Sequence, residues 1–271
     1  MRIILNQNDK ILARIFIASI VLICFSRLMA QPHKGHAHND YVHKKPLFDA
    51  LNNGFRSIEI DVWLNEGKLA VSHNRFRLSQ KPNIDELYFQ PLFNLIRKNK
   101  GKSPYDSLPI ILLIDIKNQP EAAYKRLKEY LQPYDTYLCK WKGDSLVSSG
   151  SVALLISGYT PRKQIMEDSI RIANIDGRIQ DTVQQISISI VPNISLPWSH
   201  YFVWNGIGNM PENELEKLRK IVAAVHKYGR TIRFWGAPDH FNAWKTLLRE
   251  GVDWINTDNL KAFAQFYGSQ K

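Results

Sequence analysis

The feature that most restricts the fold of this chain is a repeated alternation between short apolar segments and amphipathic ones. Apolar runs of about four to eight residues indicate buried strands, while apolar positions spaced three and four apart indicate helices. Strands that alternate with helices are typical of a parallel sheet covered on both faces. The predicted strands cover residues 57–64, 68–73, 109–117, 151–157, 170–175, 186–191, 231–235 and 252–256. The predicted helices cover residues 46–53, 85–98, 121–131, 161–168, 212–228 and 240–250.

The length of the chain favours closure of this sheet into a barrel. Residues 31–271 contain about eight strand-helix alternations, and a (β/α)8 barrel typically occupies ~250 residues. With 44% hydrophobic and 23% charged residues, the composition supplies a large core and excludes disordered, collagen-like and coiled-coil chains. We therefore predict an α/β fold, a (β/α)8 TIM barrel that residues 31–271 form as a single domain.

Residues 1–30 carry the pattern of a secretory signal. Basic residues precede an apolar run over residues 15–25, and a small residue, Ala30, follows it. The run is shorter than the ~20 residues that a membrane-spanning helix needs. We therefore expect cleavage near Ala30 and an exported protein that is periplasmic or secreted. An uncleaved anchor and a lipid attached to Cys24 are the alternatives.

The charge of the chain indicates the chemistry of its partners. Lys and Arg number 36 against 25 Asp and Glu, which gives a net charge of +11. The basic residues are spread along the chain without a long block, so the charge favours phosphorylated small molecules or acidic membrane surfaces over nucleic acid. We expect no nucleic-acid partner and treat peripheral membrane contact as an open alternative. The sequence leaves the oligomeric state undefined.

Acidic side chains occupy two of the predicted strands. Glu59 and Asp61 point to the same face, because side chains alternate along a strand, and Asp115 and Lys117 share a face in the same way. Barrel interiors are usually filled by Val and Ile, so acids near strand ends indicate a functional face. Three carboxylates in one cavity need a neutralising charge, and all-oxygen ligation favours Mg²⁺ or Ca²⁺ over zinc. We predict one divalent cation held by Glu59, Asp61 and Asp115.

The first predicted hairpin brings a histidine toward these acids. If residues 65–67 form the turn, Leu64 pairs with Lys68. The same register then places His73 opposite Glu59, to within about one residue. We therefore expect His73 to reach the carboxylate site.

Two further histidines precede the first predicted helix. His36 and His38 are two residues apart, so they point the same way at the end of a first strand. Imidazoles titrate near neutral pH, and histidines from two strands can therefore serve as general base and general acid.

Four motifs together resemble the phosphatidylinositol phospholipase C-like superfamily of glycerophosphodiester phosphodiesterases. They are GHAHNDY at residues 35–41, PLFDALNNGFRSIEIDVWL at 46–64, LAVSHN at 69–74 and LLIDIK at 112–117. The likeness is nearest to an exported branch whose sequences begin H-x-H-N-D-Y. The resemblance implies a distorted (β/α)8 barrel, one bound divalent cation and phosphoric diester hydrolase activity.

The resemblance also implies roles for individual residues. Glu59 and Asp61 match its metal-binding E-x-D, and Asp115 stands where many members have Glu. Lys117 matches a lysine that contacts phosphate oxygens. The usual H-R-G after the first strand is absent, so Asn39 or Lys117 takes the place of the phosphate-binding arginine.

The implied catalytic residues are His73 and one of two others, His36 or His38. The predicted function is cleavage of a phosphodiester, such as a glycerophosphodiester or a phospholipid head group, with these histidines as acid and base. The nucleophile is either water or a hydroxyl of the substrate. Trp235, at the end of a closing strand, is a further candidate for substrate contact.

Two alternatives remain open from the sequence. His36-x-His38 also resembles the zinc pair of amidohydrolase and polymerase-histidinol phosphatase barrels, although those sites need further histidines from later strands. The second alternative is a catalytically inactive barrel that binds phospholipid head groups or glycan.

Overall fold

The computed structural model describes residues 32–183 and 186–270, and its central feature is a closed barrel. Eight parallel strands pair with their neighbours in chain order. The first strand pairs with both the second and the last, which closes the sheet. Helices lie between consecutive strands, so the predicted (β/α)8 fold is confirmed.

The strands in chain order are β1 (Gly35–Ala37), β2 (Ser57–Asn65), β3 (Lys68–Val71), β4 (Ile110–Ile116), β5 (Lys140–Lys142), β6 (Ser145–Ser148), β7 (Val152–Gly158), β8 (Ala173–Gly177), β9 (Asn193–Pro197), β10 (Thr231–Trp235) and β11 (Trp254–Thr257). The barrel consists of β1, β2, β4, β7, β8, β9, β10 and β11. Strand β3 pairs antiparallel with β2, and β5 and β6 form a separate hairpin.

The α-helices cover Phe48–Asn52, Gln90–Lys98, Pro120–Leu131, Arg162–Glu167, Ile179–Val183, Glu212–His226, Phe241–Arg249 and Leu260–Ser269. A π-helical turn at Asp85–Phe89 leads into the second of them. The helices Ile179–Val183 and Leu260–Ser269 were not predicted. None of the helices in the described ranges combines the length and apolar composition that a membrane-spanning helix requires.

The core forms where apolar helix faces pack on the outside of the barrel. In Glu212–His226 the buried side chains recur at three- and four-residue spacing, at Leu215, Leu218, Val222 and Val225. The strands supply the other half of each contact through branched residues such as Ile232, which is fully buried. This packing leaves the inward-facing strand positions free for polar residues.

The register of β2 and β3 differs by one residue from the predicted register. Asn65 pairs with Lys68, so the connecting turn has two residues and not three. Glu66 and Gly67 both have positive φ values, 49° and 73°, which is the geometry of the tight turn that best matches strand twist.

The predicted strand over residues 186–191 is wrong. The backbone N–H of Ile190 donates to the carbonyl of Ser187, and the strand begins later, at Asn193. Alternating Ser and Ile imitates a strand pattern, but serine hydroxyls also bond to nearby backbone. Here the Ser187 hydroxyl accepts the N–H of Ser189, which favours a turn.

The predicted helix over residues 46–53 begins at Phe48 in the structure. Leu47 has a φ of 66° and lies at the centre of a three-residue turn, in which the N–H of Phe48 donates to the carbonyl of Pro46. The buried carboxylate of Asp40 accepts the N–H of Leu47 at 2.6 Å. This contact holds the residue in an otherwise unfavourable conformation.

Two features predicted for the N-terminal segment lie outside the described residues. These are the signal over residues 1–30 and the alternative lipid site at Cys24. The remaining cysteine, Cys139, is buried and free.

Candidate functional site

Three carboxylates meet at the C-terminal ends of β2 and β4. Oxygen atoms of Glu59, Asp61 and Asp115 all lie within 4.8 Å of one another. The parallel register of the two strands pairs Asp61 directly with Asp115, so both side chains project from the same end of the barrel. Among the described residues, this is the group whose geometry could hold a metal ion.

The carboxylates form one wall of a cavity of about 220 Å³. Its lining consists of His38, Asn39, Glu59, Asp61, His73, Asp115, Lys117, Ser157, Arg178, Arg233 and Trp235. The structure therefore places eight of the nine sequence-predicted site residues around one cavity, and His36 lies outside its lining.

Asp115 has a carboxylate oxygen that no described donor satisfies. Its Oδ1 is buried without a hydrogen-bond partner, and a Cβ at Gly158, on the adjacent strand β7, would collide with it. Burial, reinforced by Asp61 and Glu59, raises the pKa of Asp115 to about 6 although Lys117 opposes the shift. A buried, unsatisfied carboxylate oxygen among other acids is the donor set that a hard divalent cation requires.

The ammonium group of Lys117 bridges two of the acids. Its Nζ lies 3.2 Å from Asp61 Oδ1 and 3.1 Å from Asp115 Oδ2. Burial lowers the pKa of Lys117, but the two carboxylates outweigh burial and raise it above the ordinary value. This lysine therefore stays charged beside the carboxylates and can contact an anionic ligand in the cavity.

His38 lies in the cavity wall and is oriented by an aspartate. Its Nδ1 is 2.8 Å from Asp258 Oδ1, and its Nε2 is 3.9 Å from Glu59 Oε2. Because a carboxylate only accepts, Nδ1 carries the hydrogen. Burial lowers the pKa of His38, but Asp258 and Glu59 outweigh it and raise the pKa above its usual value. Strand β11 delivers Asp258, since Thr257 pairs with Ala37, the residue before His38.

His36 is buried behind the carboxylates and both of its ring nitrogens are engaged. Nδ1 lies 2.7 Å from Ser57 Oγ, while Nε2 lies 2.7 Å from Arg233 Nη1 and 3.2 Å from Glu59 Oε2. Burial and the Arg233 charge lower the pKa of His36 to about 4, so the ring is neutral at pH 7. Because His36 lies outside the cavity lining and both ring nitrogens contact protein groups, this histidine does not reach a ligand in the cavity. The metal-competent group of the described residues contains no histidine, which disfavours the zinc alternative.

His73 reaches the site through Asp61 and not through Glu59. Its Nδ1 lies 3.0 Å from Asp61 Oδ2, and its side chain is 69% exposed. The two-residue turn shifts the pairing by one residue, and β3 ends at Val71, so His73 lies beyond the paired strand and its side chain reaches Asp61.

A buried arginine that the sequence reasoning missed connects the acids to the far side of the barrel. Arg233 Nη1 lies 3.0 Å from Glu59 Oε2, and its Nε donates to Ser195 Oγ at 2.9 Å. Burial raises the pKa of Glu59, but Arg233 and His36 outweigh it and hold that pKa far below the usual range. Strand alternation could have indicated this arginine, because its neighbours Ile232 and Phe234 face outward into the core.

Arg233 also approaches a second buried carboxylate, Asp176, which the sequence reasoning did not single out. Its Oδ1 accepts from Asn193 Nδ2 and from Ser195 Oγ, both at 2.7 Å. Its Oδ2 accepts from Ser157 Oγ at 3.0 Å and lies 3.6 Å from Arg233 Nη2. Unlike Asp115, Asp176 has hydrogen-bond donors on both oxygens.

Two other residues missed from the sequence are Tyr41 and Arg178. The Tyr41 hydroxyl lies 2.7 Å from Asn39 Oδ1 and 2.8 Å from Asp61 Oδ2, so it fixes both side chains. Arg178 lines the cavity opposite the acids, with its Nη1 donating to the carbonyl of Gly177 at 3.0 Å. It supplies a guanidinium group although the H-R-G arginine is absent. The indole of Trp235 is 42% exposed in the same cavity.

The closed (β/α)8 barrel that carries this site at its C-terminal strand ends has the fold of a solved glycerophosphodiester phosphodiesterase from Parabacteroides distasonis, with a TM-score of 0.52 and 14% identity. The match covers 90% of this chain and 98% of that one. At this identity, the likeness shows the fold.

Sequence comparison identifies the family of the chain. The sequence model of the AIM6-like phosphodiesterase domain matches residues 25–174, more than half of the chain, and the chain belongs to this family. A relative named altered inheritance of mitochondria protein 6 homolog, from Arthroderma benhamiae, is 30% identical over 86% of this chain and 83% of its own length. Altered inheritance of mitochondria protein 6 from Kluyveromyces lactis is 27% identical over 85% of this chain and 71% of its own length.

These relatives overturn the predicted location. The chain was expected to be periplasmic or secreted, and that expectation is wrong. The relatives are named for the inheritance of mitochondria. These names point to a mitochondrial or cellular role and not to a periplasmic or secreted protein.

Proposed function

We propose that this chain is a metal-dependent phosphoric diester hydrolase that cleaves a glycerophosphodiester or a phospholipid head group. The family makes it a phosphodiesterase-type protein. The observation that carries the finer proposal is the convergence of three carboxylates, two histidines and a lysine on one cavity. This set contains every group that cleavage of a phosphodiester requires.

The carboxylates would hold the cation, Mg²⁺ or Ca²⁺. The unsatisfied Oδ1 of Asp115 supports this, because a cation ligated by Glu59, Asp61 and Asp115 would satisfy that oxygen. When bound, such a cation polarises the phosphoryl group and offsets its developing negative charge. Arg233 and His36 act as positioning residues, since they keep the Glu59 carboxylate ionised and fixed.

Cationic side chains would bind the phosphate oxygens from two sides of the cavity. The Lys117 ammonium approaches beside the acids, and the Arg178 guanidinium approaches from the end of β8. Asn39, held by Tyr41, can donate a further hydrogen bond. The Trp235 indole would cover the organic part of the substrate.

His38 and His73 would move the protons. With its Nδ1–H held by Asp258, His38 presents Nε2 to the cavity. His73 is bonded through Nδ1 to Asp61, and its other ring nitrogen has no hydrogen-bond partner among the described residues. One imidazole would accept the proton of the attacking hydroxyl, and the other would donate a proton to the leaving oxygen. Of His36 and His38, only His38 lines the cavity. We therefore pair His38, and not His36, with His73 in these two roles.

A phosphodiester panel tests this proposal. The purified chain would be assayed on glycerophosphodiesters and phospholipids with Mg²⁺, Ca²⁺ or EDTA, together with Asp115→Asn, His38→Ala and the control Glu216→Gln, an exposed helix residue. We expect metal-dependent hydrolysis that the first two substitutions abolish and the control preserves. Hydrolysis unaffected by Asp115→Asn would reject the site, and head-group binding without turnover would support the inactive-barrel alternative. Tightly bound zinc would support the amidohydrolase alternative.

A further inference from the structure

Five of the six most exposed large apolar side chains of the described residues lie at one face of the barrel. The six are between 63% and 89% exposed, while the others reach at most 54%. We call the five the rim surface: Val42, Phe76, Tyr159, Val203 and Ile207. Four of them lie between the C-terminal end of β1, β7 or β9 and the next α-helix, and Phe76 follows His73 by three residues. The sixth, Val183, ends the helix Ile179–Val183 and is not part of this surface. The rim surface therefore lies around the face at which the cavity opens.

Hydrogen bonds fix Val203 and Ile207 in their exposed positions. The N–H groups of Val203 and Trp204 both donate to Glu214 Oε2 at 3.1 Å. Trp204 Nε1 donates to the carbonyl of Ile207 at 3.0 Å. The side-chain amide of Asn242 donates to the carbonyls of the residues on either side of Ile207. The exposure of Val203 and Ile207 is thus built into the loop between β9 and its helix.

The same face carries unpaired positive charge. Residues 42–46 and 74–81 contain Lys44, Arg75 and Arg77, and neither segment contains an acidic residue. Within the described ranges these three exposed cations form no ion pair, and the Arg77 guanidinium lies over the Phe76 ring at 4.9 Å. Basic side chains beside exposed apolar ones are the composition that binds an anionic lipid surface, because the cations are attracted to the lipid phosphates while the apolar groups enter the interface.

We propose that the rim surface docks on an anionic phospholipid bilayer and that the cavity takes its phosphodiester from a lipid in that bilayer. The cavity, of about 220 Å³ and lined mainly by charged and polar groups, accommodates a head group but not acyl chains. During cleavage the chains therefore remain in the bilayer. The substrate part of this inference rests on the proposed function, whereas docking requires no turnover.

Vesicle sedimentation in EDTA tests docking without catalysis. The probe is phosphatidylcholine vesicles with and without phosphatidylserine. We expect the wild type to bind the anionic vesicles and the double variant Val203→Ser/Ile207→Ser to bind them about ten-fold more weakly or worse, since it loses several buried methylene equivalents. The matched control Leu146→Ser/Val147→Ser removes apolar side chains of 52% and 53% exposure from the opposite end of the barrel, and its binding should not change. Arg75→Gln/Arg77→Gln should weaken binding to the anionic vesicles and reduce its salt dependence.

Activity separates the inference from the proposed function. We expect Val203→Ser/Ile207→Ser to lose activity on vesicular phospholipid and to retain it on a water-soluble phosphodiester. A wild type that hydrolyses soluble diesters but never sediments with vesicles would overturn the inference and leave the proposed function standing. Equal loss in the control variant, or binding that survives the rim substitutions, would also overturn it. So would self-association that the rim substitutions abolish in the absence of vesicle binding, because it would identify a protein interface.

Discussion

Two aspartates on opposite sides of the barrel interior, the half-buried Asp115 and the buried Asp176, have different surroundings. Asp115, on β4, has an oxygen without a donor and lies among other acids at the cavity. Asp176, on β8, is 2% exposed and receives hydrogen bonds on both oxygens. Both are acids near the ends of barrel strands, so strand position alone does not identify a ligand. An unsatisfied oxygen next to further carboxylates does.

Arg233 links these two sides, because its Nη1 contacts Glu59 and its Nη2 approaches Asp176. Arg233 therefore offsets the charge of Glu59 from the opposite side of the barrel and leaves Asp61 and Asp115 to Lys117 and to a ligand of the cavity. On the far side, both carboxylate oxygens of Asp176 receive hydrogen bonds. On the near side, Asp115 Oδ1 has no donor among the described residues, and a bound cation would satisfy it.

The largest expected effect is a loss of activity on substitution of an acid at the cavity. Asp61→Asn should lower phosphodiesterase kcat/KM at least about a thousand-fold, because it removes a cation ligand and the group that orients His73. The protein should remain folded, since the substitution is isosteric and relieves repulsion among three acids. Steady-state kinetics and thermal unfolding measure the two effects. Activity within ten-fold of wild type would contradict the assignment.

The next effect is a loss of stability on substitution of Arg233, which connects the two sides. Arg233→Met should lower the free energy of unfolding by about 3 kcal/mol or more, because it leaves the buried carboxylates of Glu59 and Asp176 unpaired. Arg178→Met is the matched control, since the Arg178 side chain is 43% exposed, and it should change stability by less than about 1 kcal/mol. Urea denaturation compares them. Equal effects would show that burial of the arginine is irrelevant.

A further buried aspartate, Asp40, sharpens the comparison. Asp40 Oδ1 also lacks a described partner, but Asp40 is not part of the metal-competent group. Burial raises the pKa of Asp40 to about 6, against the smaller opposing effects of Leu47 and Tyr88. The folded state thus binds the proton more tightly than the unfolded state, so this contribution to stability is present below about pH 4 and is lost as the pH rises through about 6.

Asp40→Asn should therefore remove a pH dependence of about 2 to 3 kcal/mol between pH 4 and 7. The amide can still accept from Leu47 and Tyr88 through its oxygen. Urea unfolding of wild type and variant across this pH range measures the difference. Parallel stability curves would show that the Asp40 pKa is not raised.

The smallest expected effect is on the orientation of His38. Asp258→Asn should lower kcat/KM about ten-fold, because the imidazole loses the carboxylate that fixes its tautomer. Asp253→Asn breaks a comparable pair, in which Asp253 Oδ2 lies 2.8 Å from His226 Nε2 away from the cavity. That control should leave kinetics unchanged. An equal loss in both variants would remove Asp258 from the site.

The three acids of the near side could be predicted from the sequence. Arg233 and Asp176, on the far side, could not. Glu59, Asp61 and Asp115 interrupt strongly apolar strands, so alternation places them on one face and the motifs support the assignment. Arg233 and Asp176 obey the same alternation, but a lone polar residue in a strand does not show which partner it will meet across the barrel. Only the closed barrel brings β8 and β10 together with β2.

Smaller differences have local causes. The turn at Glu66 and Gly67 is one residue shorter than predicted and β3 ends at Val71, so His73 follows the strand and contacts Asp61 and not Glu59. The choice between His36 and His38 depended on depth in the barrel, since both point the same way along the chain. Depth is a property of the closed structure, which alternation alone does not contain.

Metal binding is the most direct test of the central claim. Equilibrium dialysis or calorimetric titration of Mg²⁺ and Ca²⁺ would be carried out on wild type, Asp115→Asn and Asp176→Asn. We expect saturable binding of about one ion per chain to wild type, loss of binding in Asp115→Asn and retention in Asp176→Asn. The absence of saturable binding in the folded wild type, or binding that persists in Asp115→Asn, would contradict the account.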